Sequence, residues 1–208
     1  MVNEHGVVDM ANDVHADWPS EGAAHLLPWL LTENRILASS VVFRREGLRF
    51  NTTCRYSGDW VALLEASLRG PAAIIGERLT HWRQHSTNTY RQSIDQVLEE
   101  IVVRNAIVEA EPQWQASVAG AAMPDLVEEK LVMNVVNLQA LLIAGYAVSE
   151  SKLVIRAAKR RWPEHRIVHR RWLLSWFPAE VQRRRFWKGV RLARPTKPSS
   201  CRVNWGSS

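Results

Sequence analysis

The chain has 208 residues, enough for one domain with a modest helical extension. Its composition, 46% hydrophobic and 23% charged, excludes wholesale disorder. The net charge of +6 hides an asymmetry. Residues 1–151 hold 11 Lys/Arg and 19 Asp/Glu (−8), and residues 152–208 hold 16 and 2 (+14), so an acidic body precedes a strongly basic tail.

Residues 1–19 lack periodicity and read as an irregular lead-in. They contain no basic stretch followed by an apolar run, so no secretory signal is expected. Ser20 is placed to cap a helix reaching Glu33, with Pro28 as a kink. The apolar run at Val41, Val42 and Phe43 predicts a strand over 36–44. Ser57 is placed to cap a helix over 58–69, and Gly70 sits where a terminating glycine belongs. Short strands are predicted at 72–75 and 79–82. From residue 89 onward the pattern predicts helices alone, over 89–110, 124–147, 149–161, 164–175 and 179–190, broken near Pro112, Pro124, Pro163 and Pro178. The uncharged run 131–149 has membrane length, but Asn134, Asn137 and Gln139 interrupt it, so a buried helix is expected. Residues 193–208 read as a flexible end.

Cys54 and Cys201 are the two cysteines, far apart and without metal-ligand spacing. A disulfide is not expected from them, and a reducing cytoplasm is the default. His165 and His169 share a helix face but lack the further ligands that zinc requires.

Three segments in order carry a resemblance. Residues 22–45 read GAAHLLPWLLTENRILASSVVFRR, residues 56–70 read YSGDWVALLEASLRG, and residues 79–85 read LTHWRQH. Together they resemble the acceptor-side half of family 2 inverting glycosyltransferases of the GT-A fold. Those enzymes transfer a hexose or deoxyhexose from a nucleotide sugar to a glycan or lipid-linked acceptor, commonly in the cell envelope. The resemblance implies an α/β, mostly helical chain: an irregular 1–19, a partial GT-A domain over 20–95 with a few short strands, a helical extension over 96–192 and a loose 193–208. The family's nucleotide-binding half and its metal-holding Asp-x-Asp motif have no counterpart here. The resemblance therefore implies a truncated or split enzyme, inactive alone, whose donor half and Mg²⁺ or Mn²⁺ ligands come from another chain or an upstream segment.

By the same resemblance Asp59 is the general base, a role that suits a carboxylate poised at a helix start. Without it, Asp59 reads as a stabiliser of that helix N-terminus. Trp60, Ser39 and Ser40 border the acceptor site, although Trp60 reads equally well as a core anchor and the serines as partners of nearby backbone. Arg83 and His85 approach the donor diphosphate, with His85 a further metal-ligand candidate. Two departures stand out: Trp82 replaces a tyrosine, and Gly58 occupies a position often acidic.

The tail interleaves Arg160, Arg161, Trp162, Arg170, Arg171, Trp172, Trp176, Arg184, Arg185 and Trp187. This pattern suits an anionic membrane surface, and less well nucleic acid. A solvated helical face with its tryptophans packed on the body is the plain alternative. Expected location is cytoplasmic, with peripheral attachment at the inner face of the plasma membrane. A second reading is a non-catalytic helical adaptor binding membrane or nucleic acid through this tail.

Overall fold

The computed structural model describes residues 19, 21–44, 46, 48–77, 79–80, 93–118, 123–186 and 201–203. It is mostly helical with one small sheet. The elements are β1 (Gly22–Ala24), α1 (Leu27–Thr32), α2 (Gly58–Arg69), β2 (Ala72–Ile74), α3 (Ile94–Glu109), α4 (Glu111–Trp114), α5 (Met123–Ala144), α6 (Val148–Arg161), α7 (Arg166–Leu174) and α8 (Ala179–Phe186). The strands pair antiparallel, with Gly22 opposite Ile74 and Ala24 opposite Ala72.

Where described, α3, α5, α6, α7 and α8 follow the sequence pattern within a few residues, because their apolar spacing is a local signal. The short α4 forms at the break expected near Pro112, and residues 89–92 and 187–190 lie outside the described residues. Ser93 caps α3 by accepting the Gln96 amide at 3.1 Å. α5 is apolar around much of its circumference, and such a helix belongs inside. It packs on α1, α3, α6, α7 and α8. No helix among the described residues is long and apolar enough to cross a membrane. α5 ends at Gly145 and Tyr146, where the Ala147 amide reaches back to the Leu142 carbonyl at 2.8 Å. Tyr146 takes the left-handed conformation there (φ 67°), the geometry that most often recruits glycine.

Two local expectations near the N-terminus are corrected. The helix expected over 20–33 is split: Pro28 lies in the first turn of α1, where its missing N–H costs nothing, so it starts the helix instead of kinking it. Residues 22–24 become β1. The strand expected over 36–44 is absent. Residues 38–40 form a 3₁₀ turn, the Ser40 hydroxyl and amide both bond the Leu37 carbonyl, and Val42 stands 98% exposed. Among the described residues this segment has no strand to pair with, and an extended segment without a partner gains no ladder, so the turn's local bonds prevail. The strand expected at 72–75 forms as β2. Of the one expected over 79–82, Leu79 and Thr80 are not in a strand, and the rest lies outside the described residues.

Gly70 ends α2 as expected, but in extended backbone and not in a left-handed turn. The missing disulfide is also corrected. Cys54 and Cys201 are bonded, joining positions 147 residues apart. Sequence spacing could not show this, because the pairing depends on residues 201–203 lying against the loop before α2. There Asn51 donates to the Arg202 carbonyl at 2.6 Å, and the Arg202 amide donates to the Thr53 hydroxyl at 3.0 Å. The compartment inferred from unpaired thiols therefore does not follow.

The main core joins α1, α2, the second half of α3 and α4, through Leu30, Leu31, Trp60, Leu64, Ile107 and Trp114 among others. It draws on residues from both sides of position 95. A second cluster lies between the start of α3 and the end of α5, and a third between α5, α6 and α7.

Candidate functional site

The first turn of α2 gathers the polar groups of greatest chemical interest. Three elements meet there: the turn after α1, the N-terminus of α2, and one face of α3. The loop before α2 is fixed by a buried carboxylate. Glu99, 1% exposed, accepts the amides of Arg55 (3.0 Å), Tyr56 (2.7 Å) and Ser57 (3.1 Å). Consecutive N–H groups converging on one anion form a nest, and the charge makes each bond stronger than a neutral one. Gly58 then enters the helix so close to Asn51 that an added Cβ would lie 2.9 Å from its carbonyl oxygen. That contact explains why glycine and not an acidic side chain holds this position.

Asp59 follows, half-buried. Its carboxylate accepts the Trp60 amide at 2.7 Å and the Asn34 side-chain N–H at 3.4 Å. Asn34 also turns the chain after α1, accepting the Ile36 amide at 3.2 Å. Burial raises the Asp59 pKa above its ordinary value, and the bonds from Trp60 and Asn34 offset part of that rise. The result is a carboxylate more basic than an exposed one and anchored at a helix start.

Trp60 resolves to the core-anchor role, a correction to its place beside an acceptor. It is 2% exposed, donates its indole N–H to the Leu30 carbonyl at 2.7 Å, and carries the Arg104 guanidinium 4.9 Å from its ring centroid. No ring face is left for a sugar. Arg104 itself is buried and donates to the Thr32 carbonyl at 2.6 Å. Burial lowers its pKa, while Glu100 and Glu33 act in the opposite direction. Ser39 and Ser40 are exposed on the 3₁₀ turn, with the Ser40 hydroxyl bonded to backbone.

Arg83 and His85 lie outside the described residues, as does Trp187, and so does the Arg185 side chain. Glu99 and Arg104 were missed from sequence. Their signal was present: Arg104 shares the helical spacing of buried Val97 and Ile107, so a charge interrupts an apolar stripe. Concavity is modest. A groove of about 280 Å³, lined by His25, Ser67, Arg69, Gly70 and Ser117, sits at the opposite end of α2 from Asp59.

The divalent metal implied by the resemblance does not fit the described residues. Mg²⁺ and Mn²⁺ want several oxygen ligands in octahedral array. The one group of three ligand-type side chains found among the described residues is Cys54, Glu99 and Cys201. Its sulfurs are joined to each other and its carboxylate is held by amides. His165 pairs with Glu129 at 2.7 Å, and His169 lies against Trp172.

The basic tail divides into two sets. Arg161 donates to Asn105 at 2.7 Å and stacks on Trp162, whose N–H donates to Glu128 at 2.8 Å. Arg171 and Trp172 are half-buried, and Trp172 packs on the α5–α6–α7 core. Burial, with Arg170 nearby, lowers Arg171 to a pKa of about 10. Arg160, Arg170, Arg184 and Trp176 point outward. No family model, curated protein or solved structure matches this chain.

Proposed function

We propose that this chain is the acceptor-side part of an inverting family 2 glycosyltransferase, with Asp59 as its general base. One observation carries the reading: a hydrogen bond from Asn34 to Asp59 joins the first and second resembling segments at the start of α2, around a carboxylate whose basicity burial raises. In the proposed reaction Asp59 takes the proton of an acceptor hydroxyl as that oxygen bonds the anomeric carbon. The bond from that carbon to the diphosphate breaks, the configuration inverts, and the nucleoside diphosphate leaves. Arg83 and His85 are the proposed groups offsetting charge on the departing phosphate.

The GT-A fold is part of this proposal too; the described residues contribute one antiparallel pair of three-residue strands, fewer than such a sheet needs. No step is assigned to a metal. The donor cradle must be supplied by residues other than those described, from the rest of a longer chain or a separate subunit, because transfer requires both substrates held together. The proposed location is peripheral, at a membrane surface, and the disulfide weighs against a permanently reducing compartment.

The test is spatial first. Spin labels at Asn34→Cys and His85→Cys, placed on a chain whose native cysteines remain paired, should report neighbouring positions. A separation too wide for one sugar diphosphate to bridge overturns the reading. Sustained transfer from a nucleotide sugar by the chain alone, with Mg²⁺ or Mn²⁺, overturns its incompleteness.

A second reading, a helical adaptor without catalysis, is favoured by the outward arginines of α7 and α8 and the exposed Trp176 and Phe177 in the turn between them.

A further inference from the structure

The corner between α7 and α8 combines exposure, rigidity and charge. Leu173 (47% exposed) lies near the end of α7, Trp176 (67%) and Phe177 (51%) in the turn that follows it, and Val181 (39%) in the first turn of α8. Yet α7 already has a buried side: Val168 is fully enclosed, and Ile167 and Trp172 pack on the α5–α6 core. The outward apolar set is therefore not spare core surface. Exposed apolar clusters of this kind mark contact with a partner or a bilayer.

The corner is built to hold its shape. Gln182, 1% exposed, donates its amide to the carbonyls of Phe177 (2.6 Å) and Ser175 (3.3 Å). The Ser175 hydroxyl bonds the Trp172 carbonyl at 2.7 Å. Trp176 stands edge-on to Trp172, ring centroids 6.0 Å apart. Binding through a corner fixed in this way loses little conformational freedom.

The charge of the two helices is one-sided. Residues 166–186 hold 6 Lys/Arg and 1 Asp/Glu, the exposed Glu180, and Arg170 on α7 and Arg184 on α8 are exposed. We propose that the α7–α8 corner is a docking wedge for an anionic lipid bilayer, with Trp176 and Phe177 entering the headgroup region and the exposed arginines meeting lipid phosphates. Tryptophan and phenylalanine suit that depth, and arginine is attracted to the negative leaflet. A single-stranded nucleic acid would use the same rings and charges. It offers no apolar phase for Leu173 and Val181, whereas a bilayer buries them. The surface deepens the peripheral location proposed above and rests on it, and its failure leaves the transferase chemistry standing, because sugar transfer and vesicle binding are measured separately.

Flotation of the full chain tests it, using vesicles of phosphatidylcholine mixed with phosphatidylglycerol against vesicles of phosphatidylcholine alone. The chain should float with the anionic vesicles only, and less at raised salt. A Trp176→Ser/Phe177→Ser double variant with an unchanged melting temperature should bind about tenfold more weakly or worse. An Arg170→Gln/Arg184→Gln variant should lose the preference for anionic vesicles. The proposal is overturned if the wild-type chain stays unfloated, if either variant floats as it does, or if single-stranded RNA strips it from the vesicles.

Discussion

The Glu99 carboxylate accepts the Tyr56 amide at 2.7 Å, tying the middle of the sequence-distant helix α3 to the loop that launches α2. Two further amides, from Arg55 and Ser57, complete the clamp. Replacing Glu99 with Gln removes the charge and turns an N–H donor toward other donors. The expected outcome is a loss of about 2–3 kcal/mol of stability, since buried amides left unsatisfied are costly. Urea denaturation of the variant checks it.

Gly58→Ala separates a helix-propensity effect from a contact effect. Alanine within a helix is ordinarily favoured over glycine by about 1 kcal/mol. Here the new Cβ would lie 2.9 Å from the Asn51 carbonyl oxygen, a backbone atom in a loop pinned by the disulfide and by Glu99. The variant should be destabilised by about 1–3 kcal/mol. A rise in melting temperature would show that the loop yields freely.

Reduction of Cys54–Cys201 should free residues 201–203 from the loop at 51–54. A crosslink across 147 residues restrains the unfolded chain strongly, so its loss should lower stability by about 2–4 kcal/mol. Denaturation with and without reductant, beside a Cys201→Ser variant, gives the same shift from both treatments if the bond is the cause.

Asp59 gives a pH signature. Its folded-state pKa lies above the unfolded value, so between the two the folded chain binds more protons. Stability should fall as pH rises through that window and stay level above it. Asp59→Asn should flatten this part of the profile. In a transferase completed by its donor half, the same variant should lose about 10²- to 10⁴-fold in turnover, the usual contribution of a general base.

The helical half of the molecule was legible in sequence. Periodicity over α3, α5 and α6 and the prolines between helices are local features that nothing in the packing overrides. Asp59 and Asn34 were legible too, one as the residue opening a helix and one as a turn former. What sequence missed was decided by distant neighbours. Residues 36–44 had strand composition but, among the described residues, no strand to pair with. Trp60 suited both a sugar and a core until Leu30 and Arg104 enclosed it.

The sequence by itself determined where the later helices run, that the one through residues 131–144 would be buried, and that positive charge concentrates after residue 151. Tertiary structure alone decided that Glu99 clamps the start of α2, that the two cysteines meet, and which tail residues face outward. Helix formation depends on near neighbours along the chain. Burial of a carboxylate or pairing of two thiols depends on which remote segments the core brings together.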